Sequence, residues 1–437
     1  MRRTAGERGT STPHPLDGSA ARPRDLVVDL VRAGCLLMVP AVHLLMIGVY
    51  AGPGGVVVEN TLSHQTWFAQ GSWFGQIMPL FFVMGGFTGL TAWRSLSARG
   101  GDGWDFLRAR MLRMVRPAAA AFGFIAAALW IAAMLGAPPA LLDLSSRGVA
   151  MPVWFLAAYL ICQSLVPFMA KLHAARPLSS IAVIFTFALV LDMLSFTTVL
   201  SGVGVWNMLF VWLFIQQLGF FYADGWFKRR RWWELLGAVL ACYGLLWWIT
   251  YDGPYAKDML VNLNPPTICL ILLGIAQICT LQLILPALEH AMSWRWLQFL
   301  VGAVGRRAMT LYLWHLPLFA LIIVVSLLLH VPTPVLGSAQ WWWTRPLLAL
   351  AVLPVLIPVV WLAGKLELHP VALEQGRQRQ PWPVIAGALA VVIGQPVLLA
   401  QAGVTPETAT VAALGLAGAA VVTALTTEAA ENGSDLE

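Results

Sequence analysis

Two residues in the first apolar run of the chain could do chemistry together. The stretch "DLVRAGCLLMVPAVHLLMIGVY", residues 29–50, carries Arg32 and His43 with ten residues between them. An imidazole titrating near neutrality can take a proton from a hydroxyl or carry an acyl group. A guanidinium can grip phosphate with paired hydrogen bonds. Eleven residues of α-helix bring the two side chains to within about 20° of one face, about 16 Å apart along the axis. Asp29, three residues before Arg32, can pair with it. Pro40 removes one backbone hydrogen bond and can bend the helix just below the imidazole. Ionisable groups inside a membrane face protein or water and are functional by default. The competing reading is helix–helix glue, with His43 bonded to a neighbour and Arg32 reaching to the interface.

Other polar groups join them. In "FLRARMLRMVRP", residues 106–117, Arg110, Arg113 and Arg116 recur every three residues and share a helical stripe suited to a phosphate-rich ligand. The same arginines could serve only as interfacial anchors. In "MTLYLWHLPLF", residues 309–319, Tyr312 and His315 are one turn apart on one face. His315 could contact a donor substrate or satisfy a neighbouring carbonyl. Gly85, Gly86 and Gly89 in "MPLFFVMGGFTG" strip away side chains where another helix or a ligand must come close. After Asp29, Asp192 is the only carboxylate well inside an apolar run. It lies at roughly the depth of His43, where it could orient the imidazole and raise its basicity. Glu59, beside Asn60 and His64 in the first external loop, is the competing partner.

The elements that must position these groups are membrane helices. Hydrophobic residues make up 59% of the 437 and charged residues only 11%, too few to cover a soluble protein of this length. Runs of about 20 apolar residues, as hydrocarbon thickness demands, fall near 26–50, 72–94, 116–137, 152–171, 179–199, 206–223, 235–251, 265–288, 308–330, 345–364, 383–402 and 407–426. The expectation is an all-α polytopic bundle of ten to twelve spans, the last two, rich in Ala, Val and Gly, setting the range. The core covers 25–365, and 366–427 adds two spans. Residues 1–24 read as a disordered basic tail and not a cleavable signal peptide, and 428–437 as an acidic tail. Cys35, Cys162, Cys242, Cys269 and Cys279 lie in apolar runs without metal-ligand spacing and read as packing residues. No metal is expected.

With the N-terminus in the cytoplasm, cytoplasmic segments hold 23 of the 27 basic residues. External loops hold only Arg147, Lys257 and Arg345, and Arg32 is inside the first helix. This asymmetry accounts for the net charge of +6 without a nucleic-acid partner. Tryptophans agree: Trp73, Trp154, Trp206 and the run at 341–343 fall at outer ends, and Trp226, Trp232, Trp233, Trp294 and Trp296 at inner ends.

Taken in order, the segments resemble the membrane-bound acyltransferase 3 family. "DLVR" at 29–32 followed by His43 resembles its Asp-x-x-Arg opening and Arg-x10-His spacing. "PLFFVMGGF" at 79–87 is similar to its Phe-Phe-Val-x-Ser-Gly-Phe segment, with Gly85 where serine is usual. "RMLR" at 110–113 resembles its Arg-x-x-Arg motif. "PVWFLAAYL" at 152–160 and "LYLWHLPLF" at 311–319 resemble its fourth-helix and late histidine segments. The resemblance implies an integral membrane enzyme of the cell membrane. It would move an acyl group, usually acetyl, from cytoplasmic acyl-coenzyme A to a hydroxyl on a carbohydrate, cell-envelope or natural-product acceptor. It carries the catalytic histidine role onto His43, the first-helix arginine onto Arg32 and the Arg-x-x-Arg pair onto Arg110 and Arg113. The implied partners are the bilayer, the acyl-CoA donor and the hydroxyl acceptor, with Gly85, Gly86 and Gly89 leaving room for the pantetheine arm. The rival class is a multi-span transporter of a solute or lipid-linked intermediate. Against it stand the lack of a repeat pairing the two halves and of a matched pair of interrupted helices.

Overall fold

The computed structural model describes residues 25–52, 55–137, 153–197, 200–368 and 382–425. The expected terminal tails and Arg147 lie outside them. Helix α1, Leu26–Met46, is started by Asp25, whose carboxylate accepts from the backbone of Val27 and Val28 at 3.1 Å each. It stops four residues short of the expected end. Strands β1, Ile47–Gly52, and β2, Gly55–Asn60, instead form an antiparallel hairpin with Ile47 opposite Asn60 and Gly48 opposite Glu59. The β-branched Ile47, Val49, Val57 and Val58 favour the pleated form over a further helical turn.

The second span is broken into α2, Phe68–Gly75, and α3, Met78–Ser97. Helix α4, Gly103–Met134, begins thirteen residues before the expected 116. The cause is a capping box: Asp102 accepts from the Trp104 and Asp105 amides, and Asp105 reaches back to the Asp102 amide. The arginine stripe is therefore part of a 32-residue helix, not a lead-in to one.

Five further helices follow: α5 Val153–Ala175, α6 Pro177–Ser195, α7 Asn207–Ala223, α8 Trp232–Tyr251 and α9 Ile268–Leu283. Helix α9 continues through a 61° bend into α10, Leu285–Ala291. Pro286 has no N–H for the preceding turn and accounts for the break. Between the spans expected at 265–288 and 308–330 lies helix α11, Arg295–Arg306. It buries Val301 against Ala33 and Met292 and leaves Trp296 and Phe299 exposed. The chain closes with α12 Ala308–Leu328, α13 Ala339–Ala363, α14 Lys365–Leu368, α15 Trp382–Ala402 and α16 Pro406–Leu425.

Among the described residues, ten helices are long and apolar enough to cross a membrane, or eleven if the bent pair is one span. The molecule is thus a polytopic helical bundle. Its outer faces carry exposed Phe187, Leu240, Leu347 and Ile357, surface that lipid must cover. Helix α16 packs along α4 and α15 along α5, so the C-terminal pair joins the same core through Val392, Leu399, Ala412 and Leu416. All five cysteines are buried and unbridged. Trp206, Trp232, Trp233, Trp294 and Trp296 are exposed as a belt requires, whereas Trp73 and Trp341 are buried. Trp73 spends its indole N–H on the Lys257 carbonyl at 2.7 Å.

Candidate active site

A cleft opens where α1, α3, α4, α5 and α12 meet. Helix α1 gives it Arg32, Leu36 and Val39, and α4 gives Arg110, Arg113 and Met114. Met78 and Phe81 of α3, Phe155 and Tyr159 of α5, Ala308, Met309 and Tyr312 of α12, and Glu367 of α14 complete the wall. Its free space of about 50 Å³ admits a few waters.

Arg32, Arg110 and Arg113 line this cleft together. The Arg110 guanidinium lies over the Phe106 ring at 5.2 Å and donates to the Thr88 carbonyl at 3.0 Å. Arg113 Nε is 3.9 Å from a Glu367 carboxylate oxygen. Glu367, buried, also accepts from the Met309 and Thr310 amides and the Thr310 hydroxyl at 3.2 Å each, capping α12. Three guanidiniums thus line a cleft with one carboxylate, a surplus that suits phosphate. Sequence reasoning passed over Glu367 because it follows Lys365 in a stretch counted for its basic residues. It also passed over Tyr159, although that residue lies in the quoted "PVWFLAAYL" segment. Tyr159 stacks on Phe155 at 5.6 Å and contacts Phe81.

Arg32, Leu36, Val39 and His43 form one stripe of α1, each a turn from the last. At its upper end His43 Nδ1 lies 2.8 Å from His315 Nε2, with ring planes within 3° of parallel. His315 is fully buried one turn above Tyr312. The two histidines therefore meet at one level of the bundle. His43 is the eighteenth residue of α1 and His315 the eighth of α12. The helices are offset by about ten residues, some 15 Å of rise. The extra turns of α1 are flanked by α10 and α11.

The carboxylates proposed to support His43 are elsewhere. Asp192 accepts from Asn207 Nδ2 at 2.6 Å, the Tyr255 hydroxyl at 3.1 Å and the Ile268 amide at 2.8 Å. It ties α6, α7, the 252–267 loop and the start of α9 together, and these partners occupy it. Burial first, and then Asp192 beside it, pushes the Tyr255 hydroxyl above its ordinary pKa, so it stays a donor. Glu59 sits on β2 with His64 Nε2 at 3.5 Å, both at the surface.

The glycines pack helices instead of opening a channel. A Cβ at Gly86 would lie 2.1 Å from the Gln216 carbonyl oxygen of α7, and one at Gly219 only 2.0 Å from the Val83 carbonyl oxygen of α3. Gly85 faces the Tyr159 and Gln163 side chains. Phosphate would fall to Arg32, Arg110 and Arg113. Among the described residues no three His, Cys, Asp or Glu side chains converge on a common point.

Residues 25–365 match a family model described as an acyltransferase domain, that of the acyltransferase 3 family. No curated protein and no solved structure matches the chain.

Proposed function

Because the chain belongs to the acyltransferase 3 family and is a membrane acyltransferase, we propose that it takes a short acyl group, acetyl first, from cytoplasmic acyl-coenzyme A. The group passes to a hydroxyl of a carbohydrate, cell-envelope or natural-product acceptor, with His43 at the transfer point. One observation carries this reading: the α1 stripe that lines the arginine cleft runs on to a histidine whose ring is held by a second histidine.

In this reading the N-terminus is cytoplasmic, as the basic residues favour. Arg32, Arg110 and Arg113 take the donor's phosphates. The pantetheine arm passes Leu36, Val39 and Phe81 over the roughly 16 Å from Arg32 to His43. The cleft must widen for it, and Met78, Met114 and Met309 are the adaptable side chains of its wall. His43 then takes the acceptor's hydroxyl proton as that oxygen attacks the thioester carbonyl, or it receives the acyl group itself. Either route yields the ester and free coenzyme A.

The test uses full-length protein in nanodiscs with radiolabelled acetyl-CoA. His43→Ala should abolish transfer and leave coenzyme A binding intact. Arg110→Ala with Arg113→Ala should weaken donor binding first. Transfer by His43→Ala at the wild-type rate would sink the assignment, and a chain that neither binds nor consumes acetyl-CoA would return the case to transport.

A further inference from the structure

Resting on the reading of His43 as the transfer residue, we propose that His315 is its positioning residue. It holds His43 in the tautomer that presents a bare Nε2 to the reaction, and it shares the positive charge that forms there.

The argument starts from the proton count. A nitrogen–nitrogen contact of 2.8 Å between imidazoles is a hydrogen bond only if one ring donates and the other accepts. The second nitrogen of His315, Nδ1, is buried without a hydrogen-bond partner, and the backbone groups that bear on the ring are the Leu311 and Tyr312 carbonyls of its own helix. Carbonyl oxygens only accept, so the nitrogen that faces them carries the proton. His315 Nε2 is then bare and accepts from His43 Nδ1–H. His43 Nε2 is left with its lone pair, the atom a base or an acyl carrier needs. The reverse arrangement would leave a bare nitrogen against carbonyl oxygens at a residue with 0% exposure.

The pair also suits its depth. A carboxylate in this role would add a fixed negative charge inside the apolar core, whereas a neutral imidazole orients its partner without one. When the acceptor oxygen bonds to the thioester carbonyl carbon, its proton moves to His43 Nε2 and the pair gains one positive charge. The proton between the rings can reside on either, so the charge spreads over both. The C–S bond then breaks and the Nε2 proton passes to the leaving sulfur, restoring the neutral pair. His315 thus acts through His43 and not on the donor.

Wild type, His43→Ala, His315→Leu and His315→Gln are compared in nanodiscs, with acetyl-CoA as donor and glycerol as surrogate hydroxyl. Thiol release gives kcat and its pH profile, and calorimetry gives coenzyme A affinity. His315→Leu should lower kcat by about 10²- to 10³-fold, leave coenzyme A affinity within about twofold, and displace the pH profile. His315→Gln offers an oxygen near the lost Nε2 and should regain about tenfold or more of the loss. A packing role would lower melting temperature and kcat in both variants with the pH profile unmoved, and would overturn the proposal. So would wild-type kcat in His315→Leu, or a loss confined to donor affinity. If His315→Leu does not fold, His315→Gln decides: a wild-type pH profile refutes the proposal and a displaced one supports it. An active His43→Ala would defeat the functional reading itself, whereas an inactive His43→Ala beside normal His315 variants defeats only this inference.

Discussion

Gly86→Ala separates a packing role from a substrate role at a position where the two make opposite predictions. The added Cβ would lie 2.1 Å from the Gln216 carbonyl oxygen and 3.0 Å from its carbon, all backbone of α7. Ordinary contact requires roughly 3.2 Å or more, so α3 and α7 must part by about 1 Å. No rotamer change can provide that, and Gly219 presses back on the Val83 carbonyl from the other side. Overpacking of this kind costs about 1–3 kcal/mol. The upper end applies, because separation also opens space around Phe82 and Trp212, which stack at 4.2 Å across the same interface. Alanine gains about 1 kcal/mol over glycine in helix propensity, so the net expectation is a loss of about 1–2 kcal/mol. Gly85→Ser is the control. Its Cβ would meet side chains and not backbone, Tyr159 Cε2 at 3.0 Å and Gln163 Nε2 at 3.6 Å. Side chains can give where backbone cannot, so that variant should melt closer to wild type than Gly86→Ala does. Thermal unfolding in nanodiscs, with coenzyme A calorimetry alongside, reads both. Wild-type melting of Gly86→Ala with weakened coenzyme A binding would refute the reasoning and return Gly86 to the donor site.

Three further outcomes follow. Asp192→Ala strands three donors, two of them buried side chains, and should cost about 3 kcal/mol or more, seen as a lowered melting temperature with little change in kcat per folded molecule. A rate loss as large as that of His43→Ala at unchanged melting would reinstate it as a catalytic partner. Glu367→Gln keeps an acceptor for the α12 amides but removes the carboxylate facing Arg113. Coenzyme A affinity should rise by up to about fivefold, 1 kcal/mol, with the gain fading at high salt, and weaker binding would count against the arginine cleft as the phosphate site. At Asp224 burial alone would raise the carboxyl. The hydrogen bond and charge of Arg94, at 2.5 Å, and then His173, at 3.2 Å, outweigh it and hold it below its ordinary range. A depressed pKa adds stability above the unfolded value and loses it as pH falls through the folded one. The small melting difference between wild type and Asp224→Asn should therefore hold at neutral pH and shrink below about pH 4; a difference that persists there would remove the ion pair as its cause.

Rotation was legible in the sequence and lateral neighbours were not. The 3.6-residue period alone put Arg32 and His43 on one face, and the cleft runs along that stripe. The arginines at 110 and 113 were likewise found by period. Composition sufficed for the membrane spans, because length and apolarity are local properties. Asp192 shows where this stops. Depth along a span does not say which helix lies alongside, and a buried carboxylate bonds to whatever donors packing brings. The hairpin at 47–60 was hidden because an apolar β-branched stretch next to a span looks like more span. Helix α11 was hidden because its arginines were read for their charge and not for the Leu297–Val301–Val304 spacing that seats it against α1. That spacing bears on the site. Helix α11 packs on the turns by which α1 overhangs α12, and the overhang brings the eighteenth residue of one helix level with the eighth of the other. Each apolar run, read alone, gives its histidine a different position along its own helix. Only the axial offset between the two helices, set by contacts outside the apolar core, makes a pair of them.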